Sequence, residues 1–147
     1  MNDERIATVT PIEETAASGL VAEIYADIKA TKQINFIPNF WKVLATQPAL
    51  LESVWGQLKR VMHPEATGDT SSLDPLTREM IALAVSATNG CSYCTNSHTA
   101  AATKLGLSTE SLGEVMAIVG LFNQTNALAD GYQVASDVRP RTPDTGN

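Results

Sequence analysis

The chain has 147 residues, 44% of them hydrophobic, with a formal net charge of −6 and a pI near 4.8. That is the size of one ordinary domain, able to bury roughly 70% of its unfolded surface without disulfide staples. An acidic surface repels phosphate backbones, which argues against nucleic acid as a partner, and no apolar run reaches the roughly 18 residues of a membrane span. The first residues, Met1-Asn2-Asp3-Glu4-Arg5, lack the apolar core of a signal peptide. The expected location is the cytoplasm, where cysteines stay reduced unless they do redox work.

Residues 1–17 read as a loose arm without helical period. Over residues 18–32, Leu20, Val21, Ile24, Tyr25 and Ile28 form one stripe of an amphipathic helix. Ile37-Pro38-Asn39 interrupts it, and Asn39 is the expected N-cap of a short helix carrying Phe40, Trp41, Val43 and Leu44. Pro48 suits a first helical turn, where its missing N–H costs nothing. Leu50, Leu51, Val54, Trp55, Leu58, Val61 and Met62 follow at helical spacing. The two tryptophans read as core or subunit-interface residues rather than a binding box. His63-Pro64 ends that helix, and His63 reads as a cation at a helix terminus. Residues 64–73 read as a polar loop.

Asp74 and Pro75 predict a helix start over residues 76–88. After Glu79 this helix is apolar on every side, through Met80, Ile81, Ala82, Leu83, Ala84, Val85 and Ala87, so it is expected to be buried all round. Gly90 suits the left-handed position that closes it. The next helix starts near Cys91 and runs to Leu105, with Gly106 closing it in the same way. Ser108 caps the following helix, where Glu110 favours the dipole. Asn123-Gln124-Thr125-Asn126 is expected to kink or split that helix, which resumes over 127–138. The proline-bearing tail, 139–147, is expected to be disordered. No strand pattern, repeat or glycine-rich phosphate loop occurs. The prediction is an all-α single domain, 1–147, of six to seven helices.

The chemistry lies in residues 79–98, which hold both cysteines and one of the two histidines. A Cys-x-x-Cys pair is half of a usual zinc site, and a thioredoxin-like setting would need βαβ units. Two buried cysteines acting as small hydrophobes is the plain alternative. The pair sits at a helix start, however, where unpaired N–H groups and the dipole stabilise a thiolate. Positions i and i+3 are helical neighbours, so the pair can open and close as a disulfide with little change of fold. His98 falls on the same helical face, four residues after Cys94 and seven after Cys91, and could exchange a proton with either; it could also be a satisfied core residue. Glu79 lies in an apolar run. Unpaired and buried, a carboxylate favours its neutral form and serves as a general base. Pairing with Arg78, or exposure in the first turn, are the other readings.

Taken together, Glu79, the twelve-residue step to Cys91, the Gly90-Cys91-Ser92-Tyr93-Cys94 run and His98 resemble the alkylhydroperoxidase D family, within the carboxymuconolactone decarboxylase superfamily. The clear match covers residues 73–107. The resemblance implies an all-helical fold that forms homo-oligomers (dimers, trimers or hexamers) and reduces hydroperoxides by a dithiol. It assigns Cys94 to attack on peroxide, Cys91 to resolution as a disulfide, and Glu79 and His98 to a proton relay. It also implies a thiol reductant such as a lipoylated protein. Some members carry a histidine between the cysteines where this chain has Tyr93. A homo-oligomer is expected independently, because the apolar helix 80–87 needs cover on all sides; the site would then lie near subunit contacts. No metal or cofactor site is legible. Two competing readings are a carboxymuconolactone-type decarboxylase, which would not need the thiols, and a non-catalytic redox-sensing oligomer.

Overall fold

The computed structural model describes residues 7–138 and 140. Among them are six α-helices: α1 Gly19–Lys32, α2 Asn39–Leu44, α3 Pro48–Met62, α4 Pro75–Thr88, α5 Ser92–Lys104 and α6 Thr109–Gly131. Two 3-10 turns, Glu14–Ala16 and Pro64–Thr67, complete the regular structure, and the described residues contain no strand. The all-α class is as predicted. No helix of the described residues is long and apolar enough to cross a membrane. The disordered tail expected over 139–147 lies, apart from Pro140, outside the described residues, as does the start of the arm, 1–6. The chain divides into two compact units whose boundary falls between Pro75 and Leu76.

In unit 1, α1 buries the predicted stripe Val21, Ile24, Tyr25 and Ile28. These pack with Ile37, Trp41, Ala45, Leu51 and Trp55 in one cluster. Both tryptophans are buried in it, and their rings meet edge to face at 5.3 Å, a favoured aromatic geometry. Carboxylates clamp the cluster from outside. Asp27 accepts hydrogen bonds from Trp55 Nε1 at 2.7 Å and Lys59 Nζ at 2.7 and 2.9 Å. Burial works against its charge, but these bonds outweigh it and hold the carboxyl below its ordinary range.

Part of the arm expected to be loose is held down. The Ile12 N–H donates to the Lys42 carbonyl at 3.0 Å, and Tyr25 Oη donates to the Ile12 carbonyl at 2.8 Å. Glu13 pairs with Lys42, and Glu14 takes Lys29 Nζ and the Ile37 N–H. Lys29 and that N–H lower the Glu14 carboxyl from its usual range. Desolvation, helped by Glu13 and Glu14, pushes Tyr25 up to about 12. α2 begins one residue earlier than predicted. Pro38 takes the cap position with ψ 145°, and its carbonyl accepts the first helical bond, so Asn39 is already helical. The predicted loop 64–73 opens on a 3-10 turn, in which the Ala66 N–H donates to His63 at 2.9 Å.

In unit 2, Leu83 of α4, Ala102 of α5 and Leu107 form the buried core, with Leu76, Met80, Leu112, Val115 and Met116 packed around it. α4 and α5 end identically. Gly90, at φ 68°, bonds back to Ala87, and Cys91 to Ser86; Gly106, at φ 103°, bonds back to Thr103, and Leu107 to Ala102. Each is a Schellman closure, whose left-handed residue is glycine because a Cβ is strained there. Two expectations fail. α6 runs unbroken through 123–126 and stops at Gly131 rather than near 138. Asparagine, glutamine and threonine in an exposed helix cost only tenths of a kcal/mol each, too little to break it. α4 is not buried all round: Ile81 and Val85 are 49% and 54% exposed, while Arg78, Glu79, Leu83 and Ser86 are buried. The buried face of α4 packs with residues of α5 and α6, and the face carrying Ile81 and Val85 is left open.

Candidate thiol–disulfide site

The Gly90 turn joins two helices that each bring reactive groups. On α4, Glu79, Leu83 and Ser86 share the i, i+4, i+7 row that is buried. On α5, Cys91 is the N-cap, Cys94 is in the first turn and His98 is one turn further on.

Cys91 and Cys94 form a disulfide with an S–S distance of 2.07 Å and a Cα separation of 5.3 Å. Cys91 also does the work of a capping side chain. Its Sγ accepts the backbone N–H of Cys94 at 3.2 Å, and its carbonyl accepts Thr95 N–H at 2.9 Å. An N–H that would otherwise lack an intrahelical partner therefore points at sulfur. Sequence reasoning put the pair at a helix start but did not give Cys91 this role. The signal was available: a residue directly after a helix-closing glycine and directly before a new helix is an N-cap by position.

Glu79 is 7% exposed, and its Oε2 lies 2.7 Å from His98 Nδ1. It is therefore neither the unpaired buried carboxylate that the apolar run suggested nor exposed in the first turn. With Glu79 ionised, His98 Nδ1–H donates to it, which leaves Nε2 as the ring nitrogen able to take or return a proton. The His98 side chain keeps 25% of its surface open. Arg78 is buried beside Glu79 in sequence, and Ser86 Oγ donates to the Ala82 carbonyl at 2.7 Å. The burial of Arg78 was not foreseen. Tyr93, in the first turn of α5 between the cysteines, is 42% exposed. His63 caps the C-terminal end of α3 in unit 1, as its sequence position suggested. Among the described residues no group of three or more His, Cys, Asp or Glu side chains is arranged to hold a metal ion.

An all-α chain with a closable cysteine pair at one helix start, and a Glu–His pair on the same two helices, falls in the class of dithiol proteins. The chain belongs to the carboxymuconolactone decarboxylase family, whose sequence profile matches residues 58–137. Its fold matches the crystal structure of the alkylhydroperoxidase AhpD core from Rhodospirillum rubrum, with a TM-score of 0.82 and 45% identity over 90% of this chain and 96% of that one. Alkyl hydroperoxide reductase AhpD from Streptomyces griseus is 25% identical over 126 residues, 86% of this chain and 70% of the relative. An (R)-2-haloacid dehalogenase from Pseudomonas putida is 46% identical over 48 residues, 33% of this chain but only 16% of the dehalogenase. The chain thus spans a small part of that relative and most of the AhpD proteins. The AhpD likeness and the paired cysteines support a peroxidase-like role.

Proposed function

We propose that the protein is a dithiol peroxidase, a thiol–disulfide oxidoreductase that reduces hydroperoxides through Cys91 and Cys94 with Glu79 and His98 as proton relay. The observation that carries this reading is the 2.7 Å His98–Glu79 hydrogen bond, on the two helices whose connecting turn leads into the disulfide. Cys94 thiolate attacks one peroxide oxygen, the O–O bond breaks, and the alkoxide leaves as alcohol with a proton from His98. Cys94 is then a sulfenic acid. Cys91 gives its proton to His98 and attacks that sulfur as the thiolate, the S–S bond forms, and hydroxide leaves as water with that proton. Two thiols and one hydroperoxide thus give a disulfide, an alcohol and water. Glu79 orients the imidazole and stabilises its protonated form between these steps.

A thiol reductant, such as a lipoylated protein, returns the disulfide to the dithiol. Dependence on such a reductant suits the cytoplasm, where thiols are kept reduced. A homo-oligomer (dimer, trimer or hexamer) is supported by the half-exposed Ile81 and Val85 on α4 and Ile118, Leu121 and Phe122 on α6, since large exposed apolar patches mark association surfaces. A monomer in analytical ultracentrifugation at micromolar concentration overturns that part.

The function is tested by mixing pre-reduced protein with a hydroperoxide and no reductant. The expected result is consumption of one equivalent per chain, with loss of both thiols and closure of Cys91–Cys94. Adding dihydrolipoamide then gives continuous turnover. Peroxide consumption that leaves both thiols free sinks the reading.

A further inference from the structure

We infer that the disulfide opens in one direction: the reductant's sulfur attaches to Cys94, and Cys91 departs as the thiolate. The inference deepens the dithiol reading and rests on it for the identity of the redox pair, but it concerns the reductive half of the cycle.

The argument starts from the backbone. Cys94 N–H points at Cys91 Sγ at 3.2 Å, because Cys91 occupies the N-cap of the 13-residue α5. When an external thiolate attacks a disulfide, negative charge develops on the sulfur that leaves, and the sulfur better able to carry that charge leaves faster. A donor already aimed at Cys91 Sγ meets that charge without reorganisation. The hydrogen bonds of the described residues include no counterpart on Cys94 Sγ. Access does not reverse the choice, since both cysteines are half-buried. Among the hydrogen bonds of the two helices, Glu79 of α4 pairs with His98 of α5, whereas the Cys94 N–H singles out one sulfur of the disulfide.

The step balances without a proton. A thiolate attacks Cys94 Sγ, a new S–S bond forms there, the Cys91–Cys94 bond breaks, and its electron pair stays on Cys91 Sγ. The second thiolate of a dithiol reductant then attacks the reductant's own sulfur in that mixed disulfide. The reductant closes its disulfide, and Cys94 leaves as a thiolate that His98 can protonate. The same N–H holds Cys91 ready as the nucleophile that attacks oxidised Cys94. One sulfur is therefore nucleophile in one half-cycle and leaving group in the other.

The test uses the oxidised wild-type protein and no peroxide. It is treated briefly with 2-mercaptoethanol and then quenched with a larger excess of N-ethylmaleimide, and each label is located by fragment-ion mass spectrometry. The expected pattern is mercaptoethanol on Cys94 and maleimide on Cys91. The reverse pattern, or an even mixture, overturns the proposal. A second measurement separates leaving-group chemistry from access. Thiolate absorbance is titrated in Cys94→Ser, which keeps the N–H of residue 94, and in Cys91→Ser, which keeps a capping side chain. Cys91 is expected to ionise about one pH unit below Cys94, the size of one hydrogen bond to a charged group. Equal or inverted titration overturns the proposal. Because neither experiment needs a hydroperoxide, absence of peroxide turnover would sink the functional reading and leave this one standing. The reverse labelling pattern with intact turnover would do the opposite.

Discussion

Unit 1 buries nine hydrophobic residues in one cluster, two of them tryptophans, and braces it with Asp27, Glu13 and Glu14 paired to lysines on neighbouring elements. Unit 2 buries three, Leu83, Ala102 and Leu107, and buries three polar residues, Arg78, Glu79 and Ser86, on the helix that leads into the cysteine pair. Its longest helix, α6, buries no residue, and α4 leaves Ile81 and Val85 half open. Stability and chemistry are thus concentrated in different parts of the chain. A region that must hold a carboxylate, an imidazole and an openable disulfide gives up apolar volume to do so. The other region carries aromatic mass and charge clamps but no thiol.

The sharpest break of this comparison is chemical. Cys94→Ser should lower peroxide turnover by about 1,000-fold or more, because no other group supplies the nucleophile. The urea midpoint should hardly move. The ring closed by residues three apart is short, so the disulfide removes little freedom from the unfolded chain, worth under about 2 kcal/mol. A variant that unfolds without the bond would mean that the disulfide is a staple of unit 2 and not only a reactive pair.

A matched pair of truncations asks how the two cores differ. Leu51 and Leu83 are both fully buried. Leu51→Ala should cost about 4 kcal/mol, since the aromatic cluster around it cannot collapse into the gap. Leu83→Ala should cost about 2 kcal/mol, since the thinner surroundings relax, yet it alone should reduce turnover, because Leu83 sits between Glu79 and Ser86 on the buried row of α4. Urea unfolding and steady-state rates on both variants check the contrast. Equal costs with equal activity would erase it.

Glu79→Gln probes the site with less disruption. Glutamine keeps the shape and a hydrogen-bonding oxygen for His98 Nδ1–H but removes the charge that stabilises the imidazolium. Turnover should fall about 100-fold, the usual scale of a general acid–base contribution. Single-turnover thiol oxidation, followed by stopped flow, locates the loss in the peroxide step. Unchanged kinetics would reduce the Glu79–His98 pair to packing.

The sequence was most legible where local signals act alone. Ser18, Pro48 and Ser108 mark real helix starts, and Gly90 and Gly106 mark real ends, because capping and left-handed turns are decided within a few residues. Glu79, Cys91, Cys94 and His98 could be singled out by residue type and spacing. What brought Glu79 to His98 could not be read the same way, because that contact depends on how α5 returns against α4 after the Gly90 turn. The reading of α4 as buried all round failed for a related reason. Apolar composition says that a helix should be covered, but not by how many neighbours, and in this chain one face has them. The polar run 123–126 misled in the opposite sense: its asparagines and threonine are only mildly unfavourable in a helix, and α6 is long enough to carry them.

The smallest expected effect returns to the clamps of unit 1. Asp27→Asn keeps the volume but loses the charge that Lys59 and Trp55 stabilise. The Asp27 side chain is 41% exposed, so solvent screens the pair and the cost at neutral pH should be about 1 kcal/mol. Its sign with pH follows from the lowered carboxyl. The stabilisation is fully present above the ordinary aspartate range near pH 4 and is lost as acid titrates the folded state through its lower value. Wild type and variant should therefore differ in urea midpoint at pH 7 and converge as pH falls below about 4. Turnover at neutral pH should be unchanged in Asp27→Asn. If the midpoint gap persists in acid, hydrogen-bond geometry rather than charge holds α1 to α3. If turnover drops with the clamp, the two regions are coupled more closely than their separate cores suggest.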